Sequence, residues 1–186
     1  MEHGKVTEDL VRLMQAADYA ARQHVGQRRK GERAEPYLNH LTEVATLLAE
    51  TTGGNDPVLV MGGLLHDTVE DTDTTIDDLR QRFGSEVASL VAEMTDDKSL
   101  PKAERKRLQV ETTPDKSRRA KLLKIADKTS NLRGLVTSPP AGWTRERLRD
   151  YVDWAEAVVR SCRGLNAALD AAFDRAHAEA RARFDA

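Results

Sequence analysis

The sequence predicts an all-α fold. Apolar residues recur at helical spacing in three separate stretches, near 10–17, 41–48 and 148–159. No strand-like alternation of apolar and polar residues competes with this pattern. The 186 residues are 39% apolar and 32% charged, which suits one hydrophobic core under a heavily solvated surface. We therefore expect a single helical domain over 1–186, with its core at about 7–170.

Start and stop signals divide the chain into helices. Asp56 before Pro57 is typical of a helix start, and Gly84 is typical of a helix end. The apolar run 58–65 is compatible with a buried strand, but its Asp-Pro start and the pattern through Val69 favour a helix. Further helices are expected near 75–83, 86–95, 101–111 and 117–135, and a long one from about Thr144 toward the C-terminus.

The C-terminal part of the chain gives weaker signals. The segment 171–186 is rich in Ala, Arg, Glu and Asp and has few large apolar residues, so we expect its last turns to fray or to project into solvent as a helix. Cys162 is the only cysteine, so neither an intramolecular disulfide nor a cysteine zinc site is expected. It is best explained as a small apolar residue in a helix.

Charge and terminal composition disfavour several functions. Lys and Arg total 29 and Asp and Glu 31, so the formal net charge of −2 gives no overall attraction to nucleic acid. The basic residues that could bind nucleic acid locally, with few aromatic residues among them, are Arg28, Arg29, Lys30, Lys102, Arg105, Lys106 and Arg107. The N-terminal MEHGKVTEDL has no apolar leader, and no stretch approaches the ~18 apolar residues of a membrane span. We expect a cytoplasmic protein that contacts neither nucleic acid nor membrane.

The segment HDTVED, residues 66–71, contains the clearest chemical signal. On a helix, Glu70 lies one turn after His66 and Asp71 one turn after Asp67, which places one imidazole and three carboxylates on a narrow strip. Burial of three carboxylates behind an apolar run is costly, and a divalent cation is the simplest compensation. The alternative is an amphipathic helix whose acidic end is solvated, but four such residues in this pattern favour the metal.

Two further positions are candidates for completing a coordination shell. His40 lies at the start of a predicted helix, where its imidazole can point into a shared cavity, although alone it is better explained as an ordinary capping or surface histidine. Asp127 interrupts an otherwise apolar helix face, and Asn131 follows one turn later on the same side. This pair fits equally well a structural role, in which it satisfies local backbone, and a ligand with a substrate-orienting amide.

Longer motifs resemble a known family. The order H…HD…D resembles the HD-domain metal-dependent phosphohydrolases. One branch is much more similar, the hydrolase domain of RelA/SpoT-type alarmone enzymes, especially the small stand-alone hydrolases of the metazoan SpoT-homologue type. The strings that carry this resemblance are QRRKGERAEPYLNH, GGLLHDTVEDTDTT, FGSEVASLVAEMTDDKSLP, ERKRLQVE, KLLKIADKTSNLRGL and the GW stretch containing Tyr151 and Trp154. They span about Leu13 to Leu169.

The resemblance implies a metal ion and an acidic pair. The positions that match the family's metal ligands are His40, His66, Asp67 and Asp127. Relatives in this branch usually hold one Mn²⁺ ion there, and imidazole with carboxylate donors suits that ion. Glu70 and Asp71 match the acidic pair that orients and deprotonates the attacking water.

The resemblance also implies a nucleotide site. The positions that match nucleotide or phosphate contacts are Arg29, Lys30, Lys98, Asn131, Arg147 and Tyr151. Arg29 corresponds to a residue that covers the base and Lys30 to one that contacts phosphate, although in isolation this stretch is a basic loop with a solvated face. Tyr151 also fits the apolar periodicity, so a place in the helical core is its alternative. Thr129-Ser130 departs from the family, in which a larger pair such as Leu-Tyr or Leu-His often precedes the asparagine.

The activity implied by the resemblance is metal-dependent hydrolysis of ppGpp or pppGpp at the 3′-position, giving GDP or GTP and pyrophosphate. Positioning and electrostatics suffice for such a reaction, and no protein nucleophile is required. Removal of the 2′-phosphate of NADPH by the same chemistry is the main alternative, and the Thr129-Ser130 departure leaves this choice open. A non-catalytic nucleotide-binding HD protein is a weaker alternative, because Glu70 and Asp71 are both retained. The sequence does not indicate an oligomeric state.

Overall fold

The fold is built from helices. The computed structural model describes residues 2–185, with side chains from Thr7 onward, and this part of the chain forms ten α-helices, two short 3-10 turns and no β-strand. The helices are α1 (Glu2–Gln23), α2 (Leu38–Thr52), α3 (Pro57–Leu65), α4 (Thr68–Asp71), α5 (Ile76–Phe83), α6 (Ser85–Met94), α7 (Lys102–Thr112), α8 (Arg118–Thr137), α9 (Arg145–Val159) and α10 (Ala167–Asp185). The all-α prediction is confirmed. Among the residues described, no helix combines the length and apolar character that crossing a bilayer requires.

The helix is interrupted at His66 and Asp67, the HD pair of the motif. The prediction of one helix continuing through Val69 is wrong, because α3 ends before His66 and α4 begins after Asp67. The His66 Nδ1 donates to the Gly63 carbonyl at 2.9 Å and so satisfies a carbonyl at the end of α3. The Asp67 carbonyl accepts from the Asp71 amide at 2.9 Å, which starts the next helical turn. His66 and Asp67 therefore project from a turn and not from one continuous helix face.

The predicted long helix toward the C-terminus is also interrupted. A 3-10 turn over Arg160–Cys162 separates α9 from α10. Gly164 follows with a φ of 82°, a left-handed conformation that favours glycine. The Asn166 side chain then accepts from the Leu169 amide at 3.0 Å, in the manner of a helix cap. Cys162 is buried as expected, but it lies in the 3-10 turn.

The C-terminal helix is docked on the core, so the expectation that it frays or projects after about Ala171 is wrong. Phe173 and Phe184 of α10 are buried, together with alanines of the same helix face. Small alanine side chains let α10 pack closely against α8. Arg149 of α9 donates to the Phe184 carbonyl at 2.8 Å, which ties down the last turn. The scarcity of large apolar residues reflects a close helix contact and not exposure.

Two hydrophobic clusters form the core, and both include residues of α2, α3 and α6. One cluster joins these helices to α1 and α5, and the other joins them to α8, α9 and α10. A Cβ added to Gly63 of α3 would lie 3.0 Å from the Ala45 Cα of α2, so glycine permits the close approach of these helices. This contact brings His40, near the start of α2, next to His66, at the end of α3.

The connection between α1 and α2 contains the predicted basic loop. Isolated bridges join Arg28 to Pro36 within the loop, and Gly31 to Pro140 in the connection after α8. A Cβ at Gly31 would come within 2.2 Å of the Ser138 carbonyl oxygen, so only glycine allows this approach. The loop is thereby fixed against the end of α8.

Candidate active site

Two imidazoles and two carboxylates converge where α2, α3 and α8 meet. The His40 Nε2 lies 3.3 Å from Asp127 Oδ1 and 3.7 Å from Asp67 Oδ2. The His66 Nε2 lies 3.2 Å from Asp67 Oδ2 and 3.7 Å from Asp127 Oδ1. Ligand atoms of His40, His66 and Asp67 lie within 4.8 Å of one another, close enough to share one metal ion. Asp127 joins them through its contacts with both imidazoles.

The donor set fits a divalent cation. The His66 Nδ1 is bonded to the Gly63 carbonyl, and the His40 Nδ1 is paired with the Ser130 hydroxyl at 2.8 Å. The Nε2 atoms of both imidazoles are buried and have no hydrogen-bond partner within residues 2–185. Buried polar atoms without a partner are costly. A cation that accepts nitrogen and oxygen donors would satisfy both nitrogens and the facing carboxylates.

The electrostatics of this centre also favour a cation. Burial lowers the pKa of His40. Burial acts in the same direction on His66, but the Asp67 and Asp127 carboxylates outweigh it and raise the pKa of His66 to about 10. Despite burial, His66 lowers the pKa of Asp67, and Lys128 together with the imidazoles lowers that of Asp127. The two carboxylates therefore remain charged and attract positive charge.

Tyr37 holds the Asp67 carboxylate from the loop before α2. Its hydroxyl donates to Asp67 Oδ2 at 2.5 Å. Burial and the Asp67 charge raise the pKa of Tyr37 far above its usual value, so the hydroxyl remains a donor. The Tyr37 ring stacks on His24 with a centroid distance of 5.3 Å and meets His40 edge-on at 5.5 Å. Tyr37 thus restrains one carboxylate and one imidazole of the centre.

Glu70 lies on α4, one turn from the HD pair. It accepts from the Asp96 amide at 3.3 Å and from the Arg105 guanidinium at 3.4 Å, and both contacts are long. Burial, followed by the charges of Asp67 and Asp96, raises the pKa of Glu70. A half-buried carboxylate with weak partners and a raised pKa is suited to accept a proton.

Asp71 is held more firmly than its neighbour. Its carboxylate accepts from Lys98 Nζ at 2.6 Å and from Gln27 Nε2 at 2.9 Å. Lys98 is half exposed, so this ion pair lies at the mouth of the site. Of the acidic pair, Glu70 is therefore the freer group for proton transfer.

A series of hydrogen bonds links the basic loop to the candidate metal centre. Arg29 donates to Asn131 Oδ1 at 3.1 Å, and Asn131 Nδ2 donates to Asp127 Oδ1 at 2.6 Å. The Arg29 guanidinium also lies 5.7 Å from the centroid of the Tyr37 ring. Lys30 follows it as an exposed side chain. The structure thus brings Arg29 and Asn131 to the centre and leaves Lys30 at the surface beside it.

Basic and aromatic side chains interleave next to the centre, in a group that we call the basic-aromatic wall. The wall consists of Lys102, Lys106, Lys128, Trp143, Arg147, Tyr151 and Trp154. The Nζ atoms of Lys128 and Lys106 lie 4.4 Å and 4.7 Å from the Trp154 ring centroid. Arg147 lies 4.3 Å from the Trp143 ring centroid. Lys128 also donates to Asp127 at 2.9 Å, which joins the wall to the candidate metal centre.

Tyr151 packs in the core, and its contact with the nucleotide stays a prediction. Its ring lies 5.8 Å from that of Trp143 and 5.3 Å from that of Trp154, and it packs against the core. Burial raises the pKa of its hydroxyl, and the charges of Lys128 and Asp127 also act on it. The ring therefore packs in the core, while the hydroxyl group is close enough to Lys128 and Asp127 for their charges to act on it.

Several residues of the site were not assigned to it from the sequence. They are Tyr37, Lys102, Lys106, Lys128 and Trp143. Lys128 had a usable signal, because it directly follows Asp127 in a largely apolar stretch and a buried lysine needs a partner. Tyr37 had none, since its bond to Asp67 depends on the path of a loop.

An all-helical fold that gathers the order H…HD…D into one buried centre defines the HD-domain class. A family profile described as "HD domain" matches residues 16–152. The chain belongs to the HD-domain family.

Several relatives with close sequence similarity to this chain lie within one branch of the HD-domain family. The chain is 50% identical over 164 residues to human guanosine-3′,5′-bis(diphosphate) 3′-pyrophosphohydrolase MESH1, covering 88% of this chain and 92% of the human one. It is 48% identical over 163 residues to the Drosophila melanogaster protein of the same name, covering 88% and 91%. A solved structure, described as a metazoan ortholog of SpoT that hydrolyzes ppGpp, matches with a TM-score of 0.85 at 47% identity, covering 89% of this chain and 93% of that one. The family resemblance predicted from the sequence is confirmed.

Proposed function

We propose that this chain is a manganese-dependent hydrolase of guanosine 3′,5′-bis(diphosphate), ppGpp, that cleaves at the 3′-position. The main support for this proposal is the buried set of two imidazoles and two carboxylates, with the Glu70 carboxylate beside it. The names of the relatives from human and Drosophila melanogaster support the substrate and the bond that is cleaved. Mn²⁺ is the ion that the family resemblance implies, and the mixed nitrogen and oxygen donors are compatible with it.

The metal ligands in this proposal are His40, His66, Asp67 and Asp127. A divalent ion held there supplies positive charge against the phosphate and makes a water molecule more acidic. Tyr37 fixes Asp67, and Lys128 fixes Asp127, so the carboxylates are oriented before substrate arrives. Asn131 adds a second donor to Asp127.

Glu70 is the proposed general base. It takes the proton of the attacking water, because its two hydrogen bonds are long and its pKa is raised toward neutrality. The water oxygen forms a bond to the phosphorus attached to the 3′-oxygen, while the bond from that phosphorus to the 3′-oxygen breaks. The 3′-oxygen takes up a proton, and GDP and pyrophosphate are released. No covalent bond to the protein forms.

The basic-aromatic wall is the proposed site for the phosphates. Burial, followed by repulsion from Arg147 and Lys30, lowers the pKa of Lys102. These cations crowd one another, so a polyphosphate that enters between them relieves repulsion. Arg29, restrained by Asn131 and lying over the Tyr37 ring, is the proposed contact for the base. Lys98 at the mouth of the site is a further phosphate contact.

The test is release of pyrophosphate from ppGpp by the purified chain with Mn²⁺, with NADPH as a parallel substrate and EDTA as a control. We expect EDTA-sensitive pyrophosphate release from ppGpp. Asp67→Ala should lose Mn²⁺ binding and turnover together, while Asp73→Ala, an exposed carboxylate on the following loop, should retain both. Full turnover by a metal-free Asp67→Ala protein rejects the metal assignment.

The NADPH arm decides between the two nucleotide substrates. Phosphate release from NADPH without turnover of ppGpp would keep the metal centre and replace the substrate. Metal binding without turnover of either compound would favour a non-catalytic nucleotide-binding protein. A cytoplasmic location and the lack of a nucleic-acid partner stay predictions from the sequence.

A further inference from the structure

The proposed metal ligand His40 has a buried hydrogen-bond partner on α8. Its Nδ1 is paired with the Ser130 hydroxyl at 2.8 Å. The Ser130 hydroxyl in turn donates to Glu43 Oε2 at 2.6 Å. The other Glu43 oxygen accepts from Arg133 at 3.0 Å. These contacts form a chain that starts at the partly exposed Glu43 and ends at the buried imidazole.

The direction of each hydrogen bond in this chain is fixed by chemistry. A carboxylate only accepts, so the single proton of the Ser130 hydroxyl points to Glu43. Ser130 can then offer only a lone pair to His40, so the His40 Nδ1 must carry a proton. In a neutral imidazole the proton on Nδ1 leaves Nε2 with a free lone pair. That Nε2 faces Asp127 at 3.3 Å and Asp67 at 3.7 Å, where the metal ion belongs.

We propose that Ser130 and Glu43 are positioning residues that hold His40 in the tautomer and orientation required for metal binding. The contact between Ser130 and His40 is buried, since Ser130 is 1% exposed and His40 is 2% exposed. Water therefore has little access to replace the serine as acceptor. Arg133 holds the Glu43 carboxylate in place through the oxygen that Ser130 does not contact. The proposal rests on the metal site of the proposed function and not on its substrate.

Substitutions at position 130 give the first test. Ser130→Ala removes the acceptor for the His40 Nδ1 proton and should weaken Mn²⁺ binding by roughly 10-fold to 100-fold, the usual cost of losing such a partner. Ser130→Thr keeps the hydroxyl and should restore affinity close to that of the wild-type chain. The matched control is Thr129→Val, because the Thr129 hydroxyl is equally buried but donates to the Ile125 carbonyl of its own helix. Affinity is measured from the electron paramagnetic resonance signal of free Mn²⁺.

Substitutions at position 43 test the direction of the hydrogen bonds from His40 to Ser130 and from Ser130 to Glu43. Glu43→Gln keeps an oxygen that accepts from Ser130, so its Mn²⁺ affinity should stay near that of the wild type. Glu43→Ala frees the serine proton to turn toward His40, which favours the imidazole tautomer with a proton on Nε2. This variant should therefore bind Mn²⁺ more weakly than Glu43→Gln.

A spectroscopic measurement reports the tautomer directly. In the metal-free wild-type chain labelled with ¹⁵N-histidine, long-range proton–nitrogen correlation should show a protonated Nδ1 and an unprotonated Nε2 for His40. The His40 signals are assigned by their loss in His40→Gln. A proton on Nε2 in the wild type overturns the inference, even if Ser130→Ala proves too unstable to study.

The outcomes separate this inference from the proposed function. If the wild type binds Mn²⁺ and Ser130→Ala binds it equally well, the positioning role is wrong while the metal site stands. Equal weakening by Ser130→Ala and Thr129→Val also refutes the role, because it indicates general destabilisation of α8. If the wild type binds no Mn²⁺, the proposed function fails, and the tautomer of His40 alone decides the inference.

Discussion

Glu70→Gln is the sharpest test of the proposed chemistry. The substitution keeps the shape of the side chain and an oxygen for the Asp96 amide, but it removes the ability to take a proton. Glu70 contacts Asp96 and Arg105 and none of the imidazole nitrogens, so metal affinity should be retained. The fold should also be retained, because burial raises the pKa of Glu70 and its charged form is therefore the one that the folded state disfavours.

The size of the effect follows from the role. Loss of a general base typically lowers kcat by about 10² to 10⁴. This corresponds to roughly 3 to 5 kcal/mol of transition-state stabilisation. Asp71→Asn gives the comparison, since Asp71 is engaged by Lys98 and Gln27 and should cost less in kcat. Asp71→Asn should also change KM, because Lys98, a proposed phosphate contact, is released from its ion pair with Asp71.

The assay is pyrophosphate release at saturating ppGpp and Mn²⁺, followed across pH. In the wild type, kcat should fall as pH decreases through the raised pKa of Glu70, because the protonated carboxyl cannot accept a proton. Glu70→Gln should lack this acidic limb. A kcat near that of the wild type, or an unchanged acidic limb in the variant, would refute the assignment of Glu70 as the base.

The remaining predictions concern substrate binding, folding and the protein stripped of metal. Arg29→Ala should raise KM for ppGpp more than it lowers kcat, and an unchanged KM would make the loop a solvated surface. Phe173→Ala should lower the free energy of unfolding by about 3 to 5 kcal/mol in denaturant titrations, because α10 is docked and its phenylalanine is fully buried; a change below about 1 kcal/mol would support a frayed helix. In the metal-free protein, the pKa of His66 is raised from its ordinary value of 6.5 to about 10. The protonated imidazole therefore stabilises the folded state, and this stabilisation is fully present below pH 6.5 and is lost as pH rises through about 10. Thermal unfolding in EDTA across this range measures the loss, and His66→Gln should remove it.

Local patterns in the sequence predicted most of the helices, since each depends on residues close together in the chain. Asp56 illustrates this, because its side chain accepts from the Leu59 amide at 3.1 Å as an N-cap should. The break between His66 and Asp67 was not predictable in this way. It depends on a side-chain hydrogen bond from His66 to the Gly63 carbonyl, and an apolar run with helical spacing gives no sign of that bond.

The sequence predicts the four candidate metal ligands, but it does not predict the residues that restrain them. The candidates come from the order H…HD…D, whereas Tyr37 and Ser130 reach them across the fold. Their partners lie 30 and 90 positions away in the sequence, and no local pattern encodes such contacts. The docking of α10 was missed for a similar reason, because alanine at a close helix contact and alanine on a solvated helix look alike in sequence.

The two hydrophobic clusters have a consequence for how the chain responds to metal supply. His40 belongs to α2 and His66 directly follows α3, and both of these helices contribute to both clusters. Asp127 belongs to α8, which contributes to only one of them. An ion bound among these residues acts as a cross-link between two parts of the molecule and not only as a reagent. It binds the folded state in preference to the unfolded one, so stability rises with the concentration of free metal. On the proposed function, a cell short of this ion would hold a chain that is easier to unfold and to degrade, and the amount of protein would fall along with its activity.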